Sequence, residues 1–475
     1  MIKIYKKLPI QAKASLWYTV CNFMQNGISL IMVLLYIRVL STDEYGRWSV
    51  FQSWRDILFI LASLNLYAGV YTKILVDNKY DRDKYTSSMQ GLGLTCTFVV
   101  GLFYLLFYRI INKTLDLDYP YIILMFAYFI VYPGFLFWMA KQRVDYKYKS
   151  LLVVNILISI GIPLLSVALL YCFGTVAESL VLGFLLVQLI AGILFFAYQF
   201  YKGKCFFDSE YWSYALKFNV PLIPHYLSLI ILNQSDRIMI KNYCGDSDAG
   251  VYSLAYQISF VIMILITAIN GSRVPWTYEK LKTGKLDHLK KIIISLVAFL
   301  SCTTFLISLV SPELIGLIGT EEYQSAVYVI PVVALGLFYT FVYDLFAAVE
   351  FYYGATKYVM CASSIGAAIN IILNYIFIPL YGYIAAAYTT LISYAVFMFM
   401  HFVFYKKVIS DHDIKTNVYN DKMIFGISFI TTVLIAFVLF SFKYSVLRLA
   451  LIILVILVLA VNKNKIINVL KEIKG

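Results

Sequence analysis

Apolar runs of about 20 residues recur along the whole chain, and that recurrence decides its class. Each run is long enough to cross the hydrocarbon of a bilayer as a helix. About fourteen can be placed, near 12–39, 46–72, 86–111, 120–140, 149–172, 177–200, 214–240, 250–274, 288–310, 325–350, 358–378, 382–404, 422–441 and 446–461. Of the 475 residues 61% are hydrophobic and 14% charged, well below the charge a soluble protein of this size carries. The expectation is an all-α integral membrane protein with about 14 transmembrane helices. The first run reads as a retained helix, being too long for a signal peptide and lacking a small-x-small site before Arg38.

A net charge of +13 would suit nucleic acid, but its distribution points elsewhere. Most of the 39 Lys and Arg lie at the N-terminus, in loops after even-numbered runs, or at the C-terminus. Lys3, Lys6, Lys7, Lys141, Arg143, Lys147, Lys149, Lys280, Lys282, Lys285, Lys290, Lys291, Lys406, Lys407, Lys463 and Lys465 belong to this set. The other side holds few, namely Arg38, Arg47, Arg109, Lys113, Arg237, Lys241, Lys443 and Arg448. Such a bias orients a membrane protein with its basic loops inside, so both termini are expected in the cytoplasm and no nucleic acid as partner. The seven cysteines are scattered and form no C-x-x-C, so no disulfide or zinc framework is expected. No G-x-x-x-x-G-K-[ST] occurs and no loop has room for a catalytic domain. Neither a cofactor nor a catalytic residue is expected.

One stretch stands out, Leu216–Tyr256. It is mostly apolar, yet it carries Pro221, Pro224, His225, Asp236 and Arg237. Each is costly in hydrocarbon unless it faces protein or water, so a broken helix lining a pathway is expected. An internal repeat starts near the same place. Leu40–Val50 (LSTDEYGRWSV) echoes Cys244–Leu254 (CGDSDAGVYSL), aligning Glu44 with Asp248, Gly46 with Gly250 and Ser49 with Ser253. A second echo matches Gly174–Ala177 with Gly382–Ala385. Both imply a period of about six helices, an even number, which gives parallel halves related by an axis along the membrane normal.

These segments carry a family resemblance. Leu40–Gly46, Val220-Pro-Leu-Ile-Pro224, Asp236-Arg237, Gly250–Ala255, Val274-Pro-Trp276, Ser311-Pro-Glu-Leu314, Asn370-Ile-Ile-Leu-Asn374, Ile378-Pro379 and Tyr381–Ala387 follow in an order that resembles the Wzx-type oligosaccharide flippases. Those belong to the multidrug/oligosaccharidyl-lipid/polysaccharide exporter superfamily. The resemblance implies two six-helix bundles, residues 1–205 and 206–410, followed by a helix pair and cytoplasmic tail over 411–475. It implies transfer of undecaprenyl-diphosphate-linked glycan across the bacterial inner membrane, with membrane lipid, a polysaccharide polymerase and a chain-length regulator as partners.

A lipid diphosphate with a polar glycan needs a hydrated, cationic path. Arginine suits it, because the planar guanidinium binds two oxygens at once and stays charged. An arginine at a helix centre costs about 2.5–3.5 kcal/mol on the insertion scale, so each needs a reason. Arg55 lies deepest, inside the second run, and is the first candidate for the diphosphate. Its neighbour Asp56 is one position on, where helix geometry points side chains apart, so no direct neutralisation is expected. Arg237 near the outer end of the seventh run, Arg273 beside Pro275, and Lys217 complete the candidate cations. Arg273 reads first as an anchor at the cytoplasmic end of its helix. Asp56, Asp236, Asp344 and Glu350 are candidates for ion coupling, against the alternative that they pair with the arginines. Asn155, Asn219, Asn233, Asn370 and Asn374 read as interhelical hydrogen-bonding groups. Pro163, Pro221, Pro224, Pro331 and Pro379 read as kinks. The competing reading is a multidrug or cation antiporter on the same scaffold, for which carboxylates would dominate the path. A polymerase or ligase ranks last, since the outside loops are short.

Overall fold

The computed structural model describes residues 10–461 except 69, 78–80, 116–118, 319, 413, 415–416, 456 and 458–459. Lys3, Lys6, Lys7, Lys463 and Lys465, which enter the orientation argument, lie outside the described residues. Among the described residues the regular structure is helical throughout.

The first half runs α1 (Ile10–Val39), α2 (Thr42–Ser63), α3 (Val70–Asp77), α4 (Arg82–Leu115), α5 (Tyr119–Val144), α6 (Tyr148–Phe173) and α7 (Ala177–Gly203). Next come α8 (Ser209–Asn219), a 3-10 turn (Val220–Leu222), α9 (Ile223–Cys244), α10 (Asp246–Ser259) and α11 (Val261–Thr283). Then follow α12 (Leu286–Leu309), α13 (Ser311–Ile318), a 3-10 segment (Glu321–Tyr328) and α14 (Ile330–Tyr352). The rest is α15 (Thr356–Tyr381), α16 (Tyr383–Asp411), α17 (Asp421–Ser441) and the shorter apolar α18 (Ser445–Val455).

Twelve continuous helical stretches among the described residues are long and apolar enough to cross a membrane, which makes this a multi-pass membrane protein. The other two of the fourteen runs are also helical. In α2 the charges Asp43, Glu44, Arg47, Arg55 and Asp56 lower the apolar character, and α18 is short.

The chain divides into two compact units. One comprises the residues up to Met32 with Arg47–Gln234, the other Val33–Gly46 with the residues from Ser235 onward. In the first, α5 and α7 pack tightly at glycines. A Cβ at Gly134 would lie 2.7 Å from the Phe196 backbone, and one at Gly192 would lie 2.9 Å from the carbonyl of Val131. Small residues allow such approach where no water drives helices together. Gln199 fastens the seam, its Nε2 donating to the Gly134 carbonyl at 2.7 Å.

The helix break expected near Pro221 has a local cause. In an α-helix the amide of residue 224 would donate to the carbonyl of Val220, but Pro224 has no N–H. The Val220 carbonyl is taken by Ile223 N–H in a 3-10 turn instead, and α8 ends at Asn219. Asp208 caps α8, accepting from the amides of Glu210 and Tyr211 at 3.2 Å each.

In the second unit α14 is the central element. Every residue from Ile330 to Val342 is buried, the pattern of a helix apolar on all sides. Pro331 sits in its first turn, where no intrahelical donor is needed, so it starts this helix and does not kink it. Pro133 and Pro275 lie inside α5 and α11. The two echo segments meet within this unit. A Cβ at Gly46 would lie 1.8 Å from the Asp246 carbonyl oxygen, and one at Gly250 would lie 2.2 Å from that of Thr42. The contact is reciprocal, residue i of one segment against residue i−4 of the other. Thr42 Oγ1 and Ser247 Oγ close it with a hydrogen bond of 2.7 Å.

Candidate substrate site

Arg55 projects from the middle of α2 and is 8% exposed. Its Nε and one amino nitrogen both donate to Asp56 Oδ1, at 2.9 and 2.7 Å. The expectation that adjacent residues would not neutralise each other is therefore wrong here. It considered where the Cβ atoms point and ignored the reach of an arginine, whose stem can fold along the helix to the next position. The other Asp56 oxygen accepts from Gln234 Nε2 at 3.2 Å, and Gln234 Oε1 accepts from Ser53. Asp56 keeps 31% of its side chain exposed. The remaining amino nitrogen of Arg55 is buried with no hydrogen-bond partner among the described residues.

Aromatic rings frame this cation. The guanidinium carbon lies 4.4 Å from the Phe184 ring centre. Phe184 meets Tyr128 at 5.9 Å, and Tyr128 stacks on Tyr132 at 4.5 Å. Phe59 touches Tyr128, Tyr132 and Tyr67. A guanidinium beside stacked tyrosines can bind an anion while offering flat apolar faces to a sugar ring. A flank of α2 beside Arg55 faces an apolar cavity. Trp54, Leu58 and Leu61 line a cavity of about 590 Å³ with Phe103, Phe126 and Phe129. Lys217 stands exposed on α8 of the same unit.

The other candidate charges lie in the second unit, in separate clusters. Asp236 is fully buried on α9, and both of its oxygens are matched. Oδ1 accepts from Asn374 Nδ2 at 2.7 Å, and Oδ2 accepts from Tyr252 at 2.5 Å and Thr390 at 2.7 Å. Asn370 extends the network, donating to Thr390 at 3.0 Å and accepting from Ser235 at 3.1 Å, while Thr389 donates to the Asn374 side chain. Asn370 and Asn374, one helical turn apart on α15, thus bond between helices as expected. Arg237 points away, its guanidinium 4.5 Å from the Tyr256 ring centre.

Arg273 is fully buried and bound to Asp344 at 2.8 Å and to Asn270 Oδ1 at 2.8 Å. The reading of Arg273 as an interfacial anchor fails. Pro275 does not end its helix, and α11 runs on to Thr283. Proline is tolerated inside membrane helices where neighbours satisfy the freed backbone groups. Asp344 pairs with an arginine, but Glu350 does not. Its partner is His401 on α16, with Nδ1 3.0 and 3.1 Å from the two carboxylate oxygens. His401 was missed in the sequence because it sits within the aromatic run Phe397–Phe404. Its signal was the rule that any ionisable group at membrane depth needs a partner. Tyr252, Thr389 and Thr390 were missed too, since hydroxyls in apolar helices carry no distinctive pattern.

Comparison with known proteins follows the same lines. The sequence model of the family described as polysaccharide biosynthesis protein matches residues 12–280, and that described as MatE matches residues 221–376. Protein 1 of the Lsg locus of Haemophilus influenzae is 25% identical over 370 residues, covering 76% of this chain and 89% of its own length. Among solved structures, the lipid II flippase MurJ in an inward closed conformation superposes with a TM-score of 0.68 at 16% identity, covering 94% of this chain and 99% of that one. An inward-facing multidrug resistance MATE transporter of the MOP superfamily gives 0.63 at 14% identity, covering 83% and 98%. The charged and aromatic site thus lies on a fold shared with flippases and transporters, and the chain belongs to the polysaccharide biosynthesis protein family.

Proposed function

We propose that the chain flips undecaprenyl-diphosphate-linked oligosaccharide repeat units from the cytoplasmic to the periplasmic leaflet of a bacterial inner membrane, by alternating access, for O-antigen or capsule synthesis. The observation that carries this reading is Arg55. A buried guanidinium at the middle of α2, with one amino nitrogen unmatched among the described residues and stacked tyrosines beside it, suits a diphosphate joined to a sugar. An arriving diphosphate competes with Asp56 for the same cation, so binding and release share one switchable ion pair. Arg237, Arg273 and Lys217 remain secondary cations along the route, and Asp56, Asp236, Asp344 and Glu350 the acids for ion coupling. The reading keeps fourteen crossings, parallel six-helix repeats over 1–205 and 206–410 with a terminal pair over 411–475, both termini in the cytoplasm, and a polymerase and chain-length regulator as partners. The similarity to the MurJ lipid II flippase supports it.

A multidrug or cation antiporter is the second reading. It is favoured by the partly exposed carboxylate of Asp56 beside aromatic rings. Deleting the gene in its host separates the two. Loss of surface polysaccharide with lipid-linked oligosaccharide accumulating in the inner membrane supports flipping. An unchanged surface with altered dye or drug efflux overturns it.

A further inference from the structure

Asp56 sits on Arg55 where a bound anion would sit. A guanidinium holds carboxylates and phosphates at its edge, in its own plane. Along that edge Nε and one amino nitrogen both donate to Asp56 Oδ1, at 2.9 and 2.7 Å. The Phe184 ring packs on the group, its centre 4.4 Å from the guanidinium carbon. The other amino nitrogen is the part of the edge left without a hydrogen-bond partner among the described residues.

The carboxylate is itself held in place. Its Oδ2 accepts from Gln234 Nε2 at 3.2 Å. A carboxylate only accepts, so it fixes which way the Gln234 amide points. Gln234 Oε1 then faces the Ser53 hydroxyl at 3.2 Å, and that hydroxyl also reaches the Ser49 carbonyl at 2.9 Å. Ser53 is fully buried, so this end of the chain of bonds is anchored in the packing of α2. Asp56 keeps 31% of its side chain exposed and has room to turn toward water. The bond from Gln234 keeps it turned toward Arg55.

A counter-ion on the neighbouring residue is a competitor that never leaves. It loses no translational freedom on binding, whereas a lipid headgroup does. A phosphodiester headgroup carries one negative charge, as Asp56 does. Exchanging one for the other leaves Arg55 balanced as before, loses the freedom of the lipid, and strands the carboxylate beside a second anion. A diphosphate carries two or more charges and more oxygens, enough to engage the unmatched amino nitrogen as well as the two nitrogens that Asp56 holds. Attraction to the guanidinium rises with the charge of the ligand. The cost of opening the Arg55–Asp56 pair is the same for every ligand. A fixed cost set against a gain that rises with charge makes a threshold, which is discrimination by an opposing element. We infer that Asp56, oriented by Gln234, determines specificity by keeping singly charged phospholipid headgroups off Arg55 and yielding only to headgroups of higher charge. The inference rests on the diphosphate reading of Arg55 for its purpose, while the exclusion of phospholipid belongs to the pair itself.

The test begins without the proposed substrate. The full chain in detergent is titrated with phosphatidylglycerol, and bound lipids are counted by native mass spectrometry. Asp56→Asn keeps the shape of the side chain and removes its charge. It should bind one phosphatidylglycerol about tenfold more tightly than the wild type, the effect of losing a charge-assisted competing bond. Adding Arg55→Ala should abolish that gain. Equal binding by the wild type and Asp56→Asn, or a gain that survives Arg55→Ala, overturns the proposal. Should Asp56→Asn fail to insert, Gln234→Ala must show a smaller gain in the same direction, and no gain overturns it. Within Asp56→Asn the Gln234 change should add nothing, because it acts through the carboxylate, and a further gain overturns that positioning role. Undecaprenyl diphosphate binding is then followed by tryptophan quenching in phosphatidylcholine nanodiscs with and without phosphatidylglycerol. Wild-type affinity should be indifferent to the added lipid. Asp56→Asn should bind more tightly in phosphatidylcholine alone and lose at least about threefold when phosphatidylglycerol is present, whereas indifference of this variant overturns the exclusion. Binding that is absent, or unchanged by Arg55→Ala, counts against the proposed substrate and leaves the phosphatidylglycerol titration to decide the role of Asp56.

Discussion

Arg55 and Asp236 are both buried charges, and the chain treats them differently. Asp236 is enclosed, with both oxygens matched by hydroxyl and amide donors from α10, α15 and α16. Arg55 is only partly matched. One amino nitrogen has no hydrogen-bond partner among the described residues, and its counter-ion Asp56 retains exposure. A saturated charge serves as internal glue, fixing how helices meet. An unsaturated one beside a partly exposed partner can exchange that partner for another anion. The two charges share burial and differ in their unmet hydrogen bonds.

The largest expected effect breaks the enclosed side. Asp236→Ala removes the acceptor of Tyr252, Thr390 and Asn374 at once. At about 1–3 kcal/mol for each unmatched buried group, the loss should be 3 kcal/mol or more. A thermal melt of the detergent-solubilised protein should show a markedly lowered midpoint, and an unchanged midpoint would remove the distinction drawn here. The complementary change is Arg55→Ala. It should leave the melt nearly in place but weaken undecaprenyl diphosphate binding by roughly 10–100-fold, the range for losing a charge-assisted pair of hydrogen bonds. Arg55→Lys should recover only part of this, because a point charge cannot replace the planar fork.

A third change asks whether the start of α2 tolerates an added methyl group. Gly46→Ala places a methyl group against the Asp246 carbonyl, and overpacking of this kind costs about 1–3 kcal/mol. A lowered thermal midpoint is expected, with Gly250→Ala behaving alike because the contact is reciprocal. Opposite outcomes for the two glycines would deny that reciprocity. The smallest effect sharpens the role of the tyrosines. Tyr132→Phe keeps the ring stacked on Tyr128 and should shift stability by less than about 0.5 kcal/mol. Tyr132→Ala should reduce glycan export further than Tyr132→Phe if the ring face matters.

Much of the fold was readable because a bilayer demands long apolar helices, and those runs are visible one by one. The break at Pro221 and Pro224 was readable for a similar reason, since proline removes a specific donor. The candidate site was readable only as a list of charges, because pairing depends on tertiary neighbours. Arg273 was misjudged since Pro275 looked like a helix end, whereas α11 passes through it. The Arg55–Asp56 bond was missed because a rule about backbone direction was applied to a long, flexible side chain. His401 was hidden among aromatic residues, so Glu350, read as an ion-coupling acid with arginine pairing as the alternative, was not matched to it.

The 3-10 turn at Val220–Leu222 has a rotational consequence. Each 3-10 residue advances about 120° around the axis and each α residue about 100°, so converting three residues turns one flanking helix by about 60° relative to the other. The same conversion shortens the segment by roughly 1.5 Å. Pro224 blocks it by withholding the amide that Val220 would need. Replacing Pro224 with Ala restores that donor and releases the constraint. The face of α8 that bears Lys217, Tyr214 and Phe218 could then swing about 60° around the helix axis, like the bit of a key turned by its shaft.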